Sequence, residues 1–76
     1  MSRIYKHTKS GNLYLLLSDQ AKETDNAEPV VVYQALYEDN QIWVRPYDEF
    51  YSFIEIDGEK KPRFELIEIK RLLNKF

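Results

Sequence analysis

Val30-Val31-Val32-Tyr33-Gln34-Ala35-Leu36-Tyr37 and Ile42-Trp43-Val44-Arg45-Pro46 are two β-rich runs separated by Glu38-Asp39-Asn40-Gln41. β-branched and aromatic residues suit a pleated, half-buried surface, and Asp-Asn between two such runs is turn chemistry. The pair reads as an antiparallel hairpin. A two-residue turn at Asp39-Asn40, or a loop over 38–41, sets Tyr37 against Ile42, Leu36 against Trp43, Ala35 against Val44 and Gln34 against Arg45. Side chains alternate along a strand, so one face then holds Val31, Tyr33, Ala35, Tyr37, Ile42 and Val44, and this is the expected core face. The other holds Val30, Val32, Gln34, Leu36, Trp43 and Arg45. The division depends on the register, because a one-residue slip moves a strand's side chains to the opposite face.

Upstream, 3–9 is weakly β and Lys9-Ser10-Gly11-Asn12 carries turn chemistry. Leu13 to Leu17 follows as a short apolar strand, expected to be buried on both faces. Residues 18–29 are polar and end at Pro29, which predicts an irregular, mobile connection. Downstream, Pro46 ends the hairpin, and Tyr47, Phe50 and Tyr51 have the spacing of one helical turn over 47–51. Phe53-Ile54-Glu55-Ile56 alternates as an edge strand would, and Asp57-Gly58 predicts a tight hairpin turn. Pro62 has no N–H and places the next strand at an edge or at its start. Leu66, Ile69, Leu72, Leu73 and Phe76 recur at helical intervals, which predicts an amphipathic helix near 66–75, with strand through Glu65-Leu66-Ile67 as the alternative for its first residues.

The chain of 76 residues suffices for one domain, 1–76, with a single small core. With no cysteine there are no disulfides or thiolate metal sites, which fits a reducing cytoplasm. A single histidine, His7, makes a metal centre improbable, and no cofactor motif is present. The net charge of −2 excludes a global positive field for nucleic acid or anionic membrane. No apolar run is long enough to cross a bilayer or to serve as a signal peptide. A cytoplasmic protein is expected.

The motifs Tyr5-Lys6-His7, Lys9 to Gly11 with Asn12, Leu13-Tyr14, Glu28-Pro29, Val31 to Tyr37, Trp43-Val44-Arg45-Pro46, Phe50, Asp57-Gly58 and Pro62-Arg63-Phe64 together resemble the bacterial family catalogued as domain of unknown function 1653. The resemblance spans residues 5–64. It departs at Ser10, which separates lysine from glycine, at the polar Ser18-Asp19-Gln20, and in the loop leading to Glu28. It implies a small β-barrel similar to SH3-like folds, or a strongly bent antiparallel sheet, and no assigned activity.

Three constellations remain. Gln34, Trp43 and Arg45, joined by Arg63, His7 and Tyr5 from neighbouring strands, would form a ligand-binding face for a peptide, nucleotide or protein partner. Arg45 lies two residues from Trp43, close enough for a cation–π contact that would also present a planar fork to an anion. The competing reading makes Trp43 part of a second small core beneath the C-terminal helix and pairs Arg45 with Glu49 or Glu55. Lys60, Lys61 and Arg63 around Pro62 would serve a single-stranded nucleic acid, although lysines at such a tip more often guard an edge strand. His7 is the one residue suited to proton transfer near neutral pH, but no serine or cysteine arrangement accompanies it, so a small hydrolase ranks last. A noncatalytic binding module is the leading expectation, monomeric or weakly dimeric through the apolar side of the tail.

Overall fold

The computed structural model describes residues 3–67, which are mainly β. Seven strands and one helical turn follow in the order β1 (Arg3–His7), β2 (Leu13–Lys22), β3 (Pro29–Ala35), β4 (Ile42–Pro46), α1 (Tyr47–Phe50), β5 (Phe53–Ile56), β6 (Glu59–Pro62) and β7 (Phe64–Ile67). Five strands form one antiparallel sheet in the order β4-β3-β2-β1-β7, and β5 and β6 form a separate hairpin. The large sheet ends at β4 on one side and β7 on the other. Among the described residues these two edges do not pair, so the sheet is not closed into a barrel.

The helical turn at Tyr47–Phe50 and the Asp57-Gly58 hairpin stand where the sequence places them. Asp57 and Gly58 have φ of 52° and 80°, the paired left-handed geometry that lets a two-residue turn follow the twist of its strands. The strand alternative holds at 64–67, so Leu66 and Ile67 are extended rather than helical. The rest of the expected helix, up to residue 75, lies outside the described residues.

Three expectations are corrected. The polar stretch 18–29 is not one irregular loop: β2 continues through Lys22 with register shifts between Leu16 and Ser18 and again before Ala21. A bulge admits polar residues into a strand by breaking the alternation, which conceals the strand in the sequence. Only 23–28 is a turn, and Glu23 ties it together by accepting hydrogen bonds from the backbone N–H of Asp25 and Asn26, each at 3.0 Å. The expected double-sided burial of Leu13 to Leu17 also fails, since none of the five is buried and Leu17 is exposed.

The third correction concerns the central hairpin. Gln34 pairs with Ile42, Tyr33 with Trp43, Val32 with Val44 and Val31 with Arg45, an offset of three residues from the expected pairing. An odd offset turns β4 over relative to β3. Trp43 and Arg45 therefore share a face with Val31, Tyr33 and Ala35, while Ile42 and Val44 point to the opposite face and are exposed. The cause lies in the connection. Leu36 N–H still follows the β2 ladder to the Leu13 carbonyl at 3.0 Å, but on the β4 side pairing ends at Ala35, whose carbonyl is capped by Asn40 Nδ2 at 2.9 Å. Glu38 and Asn40 both take left-handed φ, near 50° and 56°, which closes a connection of 36–41 instead of a two- or four-residue loop.

One face of the sheet carries the core: Tyr5, Val31, Tyr33, Phe50 and Phe64 are buried together, with Tyr14, Leu16 and Tyr51 packed against them. It is largely an aromatic core. Phe50 stacks on Phe64 with centroids 4.2 Å apart and meets Tyr5 and Tyr33 at 5.2 and 5.3 Å. A short domain without disulfides gains most from such large side chains, and each aromatic pair adds about 0.5–1.5 kcal/mol beyond its buried area.

Candidate functional site

Where the aromatic core reaches the surface it opens into a cleft of about 230 Å³ lined by Tyr14, Tyr33, Tyr37, Trp43 and Arg45. Three strands and the 36–41 connection supply these residues. Tyr14 and Tyr33 are diagonal neighbours across β2 and β3, and Trp43 and Arg45 project from β4 on the same face because of the observed register. Trp43 is 50% exposed, so it forms a wall of the cleft rather than part of a core.

Arg45 is held at three points. Its Nε donates to the Tyr33 hydroxyl at 3.1 Å, its Nη1 donates to Glu49 Oε1 at 2.6 Å, and its guanidinium carbon lies 5.5 Å from the Phe64 ring centre. The pairing with Glu49 is the competing sequence reading of this arginine, and the cation–π partner is Phe64. Such anchoring fixes a planar donor at the cleft with little rotamer freedom left to lose on binding.

The tyrosines are similarly ordered. Tyr14 and Tyr37 hydroxyls are 2.8 Å apart, and the Tyr14 ring meets Tyr33 and Tyr37 edge-on at 5.3 and 5.6 Å. Burial, then the hydrogen bond and proximity of Tyr37, push the Tyr14 phenol up to about 12. The Tyr14 hydroxyl is therefore protonated near neutral pH and can donate as well as accept.

The other expected site residues are dispersed. Tyr5 is buried in the core against Phe50 and Tyr51. Gln34 lies on the opposite face of β3 from Tyr33, where its Nε2 donates to the Asn40 carbonyl at 3.1 Å. His7 packs against Phe64 at 5.0 Å and Tyr14 at 6.5 Å, behind the cleft. Its Nδ1 accepts from the Ser10 backbone N–H at 3.3 Å and lies 2.9 Å from Ser10 Oγ, which makes it a cap for the 8–11 turn. Burial, reinforced by Arg45, Arg63 and Lys9, lowers the His7 pKa. Arg63 borders a second groove with His7 and Ile54, and its Nε donates to Ser52 Oγ at 3.0 Å.

At the β5–β6 tip, Lys60 covers the Phe53 ring at 4.9 Å and Lys61 pairs with Glu59 at 3.7 Å. No group of three or more His, Asp or Glu is placed to hold a metal among the described residues. Tyr14, Tyr33 and Tyr37 are the cleft residues that sequence reasoning missed. Alternation assigned Tyr33 and Tyr37 to the core, and only the corrected register shows that the core face and the Trp43–Arg45 face are the same.

The family model described as "Protein of unknown function (DUF1653)" matches residues 3–66. The chain belongs to this family. No curated protein and no solved structure matches it. The match covers the described sheet up to Leu66, with the cleft and the groove beside Arg63, but carries no activity with it.

Proposed function

We propose that this member of the family is a noncatalytic binding module whose ligand sits in the Tyr14–Tyr33–Tyr37–Trp43–Arg45 cleft. The observation that carries the reading is the half-exposed Trp43 beside an Arg45 already fixed by Tyr33 and Glu49. Rigid aromatic walls with a few convergent polar groups are the usual make-up of a ligand site, and a preorganised arginine lowers the ordering cost of binding. The use of His7 nitrogen in a turn supports a noncatalytic role. The absence of cysteine supports a cytoplasmic setting. Amide and indole chemical-shift mapping of labelled protein against peptide, nucleotide and oligonucleotide panels is the test. Perturbation centred on Trp43 and Arg45 is expected, and a panel that shifts other residues only would sink the proposal.

Single-stranded nucleic acid at the β5–β6 tip is the second reading, favoured by the exposed Phe53 beneath Lys60. It predicts oligonucleotide affinity that falls steeply with salt.

A further inference from the structure

β4 is the outermost strand of the five-stranded sheet, with β3 as its sole ladder neighbour among the described residues. Its hydrogen-bonding parity follows from one contact: Ala35 N–H donates to the Gln41 carbonyl at 2.8 Å. In an antiparallel ladder the bonded pairs alternate, so Trp43 and Arg45 direct their backbone groups to β3. Ile42 and Val44 then direct their N–H and C=O away from the sheet, and Pro46 stands where a missing N–H costs the ladder nothing.

Apart from Pro46 at its end, this edge lacks the usual protection. Ile42, Trp43 and Val44 are 57%, 50% and 61% exposed, and the strand carries no lysine. An open, apolar edge invites another strand unless something guards it. Charge indicates which strand. Residues 36–51 contain Glu38, Asp39, Asp48 and Glu49 against Arg45 alone, a local charge of −3 in a chain of net −2. The carboxylates stand in pairs just before and just after β4, and all four residues are exposed.

We propose that the open edge of β4 takes up an extended, basic peptide segment of a partner protein as a sixth strand, with alternate side chains entering the aromatic cleft. This rests on the cleft reading and gives the ligand a chemical class. Peptide residues opposite Ile42 and Val44 exchange backbone hydrogen bonds with β4 and turn their side chains to the opposite face. Those opposite Trp43 and Arg45 place their side chains over the cleft, and Lys or Arg at either end of the segment meets the carboxylate pairs. Main-chain bonds supply affinity, and the cleft with its flanking charge supplies selection.

The test screens a library of capped heptapeptides by Trp43 emission, then scans the best binder by backbone N-methylation. Selected peptides are expected to carry Lys or Arg near both ends. Replacing those by Glu, or raising salt from low to moderate, should weaken binding about tenfold or more. N-methylation should abolish binding at every second residue, and side-chain truncation should alter Trp43 emission at the intervening ones. Val44→Pro removes an outward N–H, not a ladder bond to β3, and should lose the peptide while keeping the fold. If that variant unfolds, the N-methyl scan still decides on unaltered protein. Binding at the cleft without N-methyl alternation overturns the strand-addition inference and leaves the cleft standing. No heptapeptide changing Trp43 emission or chemical shift overturns it, as does selection of acidic peptides.

Discussion

Arg45 Nε donates to the Tyr33 hydroxyl at 3.1 Å while Arg45 Nη1 holds Glu49 at 2.6 Å, so one side chain joins β3, β4 and α1. The two bonds differ in worth. Glu49 is half exposed, and an ion pair at a surface contributes only about 0.2–1 kcal/mol. Glu49→Gln should therefore change the urea midpoint slightly, with the difference fading at high salt. Arg45→Ala also removes the Tyr33 bond and the packing over Phe64, and about 1–2 kcal/mol is expected from urea unfolding. Equal losses for the two variants would contradict this account.

Phe50 anchors α1 to the sheet with no exposed surface, stacked on Phe64 at 4.2 Å. Phe50→Ala should cost about 3–5 kcal/mol, most of the stability of so small a domain. Loss of dispersed amide resonances at 25 °C is expected. A well-dispersed spectrum with a modest fall in Tm would show that Phe50 is not the keystone.

Two groups give stability opposite pH dependences. The His7 pKa is lowered below its ordinary 6.5 by burial, then by Arg45, Arg63 and Lys9. The unfolded chain therefore binds the proton more readily, and His7's contribution is present above about 6.5 and lost as pH falls through the folded value. Tyr14 is raised to about 12 from 10.0, so its contribution is complete below pH 10 and disappears as pH rises toward 12. Imidazole titration by NMR and tyrosinate absorbance read the two directly. A His7 pKa above 6.5, or six tyrosines titrating together near 10, would refute the packing described.

Ala27 adopts φ of 57° in the 23–28 turn, where an L-residue with a β-carbon is strained and glycine is not. Ala27→Gly should leave stability unchanged or raise it by up to about 1 kcal/mol, against the usual loss on introducing glycine. Gly58→Ala, at φ of 80°, should cost about 1 kcal/mol even though nothing lies within 4 Å of the added carbon. Denaturant midpoints of both variants check the opposite signs.

Much of this fold is written in short-range patterns. The Asp57-Gly58 turn, the Tyr47–Phe50 helical turn and the β3 run each follow from residues within a few positions. Register does not. It was set in the 36–41 connection, by left-handed Glu38 and Asn40 and by Asn40 folding back on the Ala35 carbonyl, a side-chain cap that no alternation rule contains. That single miss moved Trp43 and Arg45 to the wrong face. That Trp43 and Arg45 share a face was legible, although the guanidinium packs over Phe64 and not Trp43, whereas Tyr14 could join them only once β2 was placed beside β3.

Trp43 is the sole tryptophan, which makes it a reporter of the charge along β4 before any ligand is known. At 50% exposure it should be open to collisional quenchers. Arg45 alone would draw an anion to the ring, but Glu49 neutralises that guanidinium at 2.6 Å, and Glu38, Asp39 and Asp48 remain. Caesium should therefore quench Trp43 more efficiently than iodide at low ionic strength, once each is normalised to free tryptophan amide. The gap should narrow as the Debye length falls from about 30 Å at 0.01 M toward about 8 Å at 0.15 M salt. Asp39→Asn and Asp48→Asn together should close most of it at low salt without shifting the emission maximum. Iodide quenching that exceeds caesium would mean that the edge is not electronegative, and a basic partner would lose its electrostatic basis.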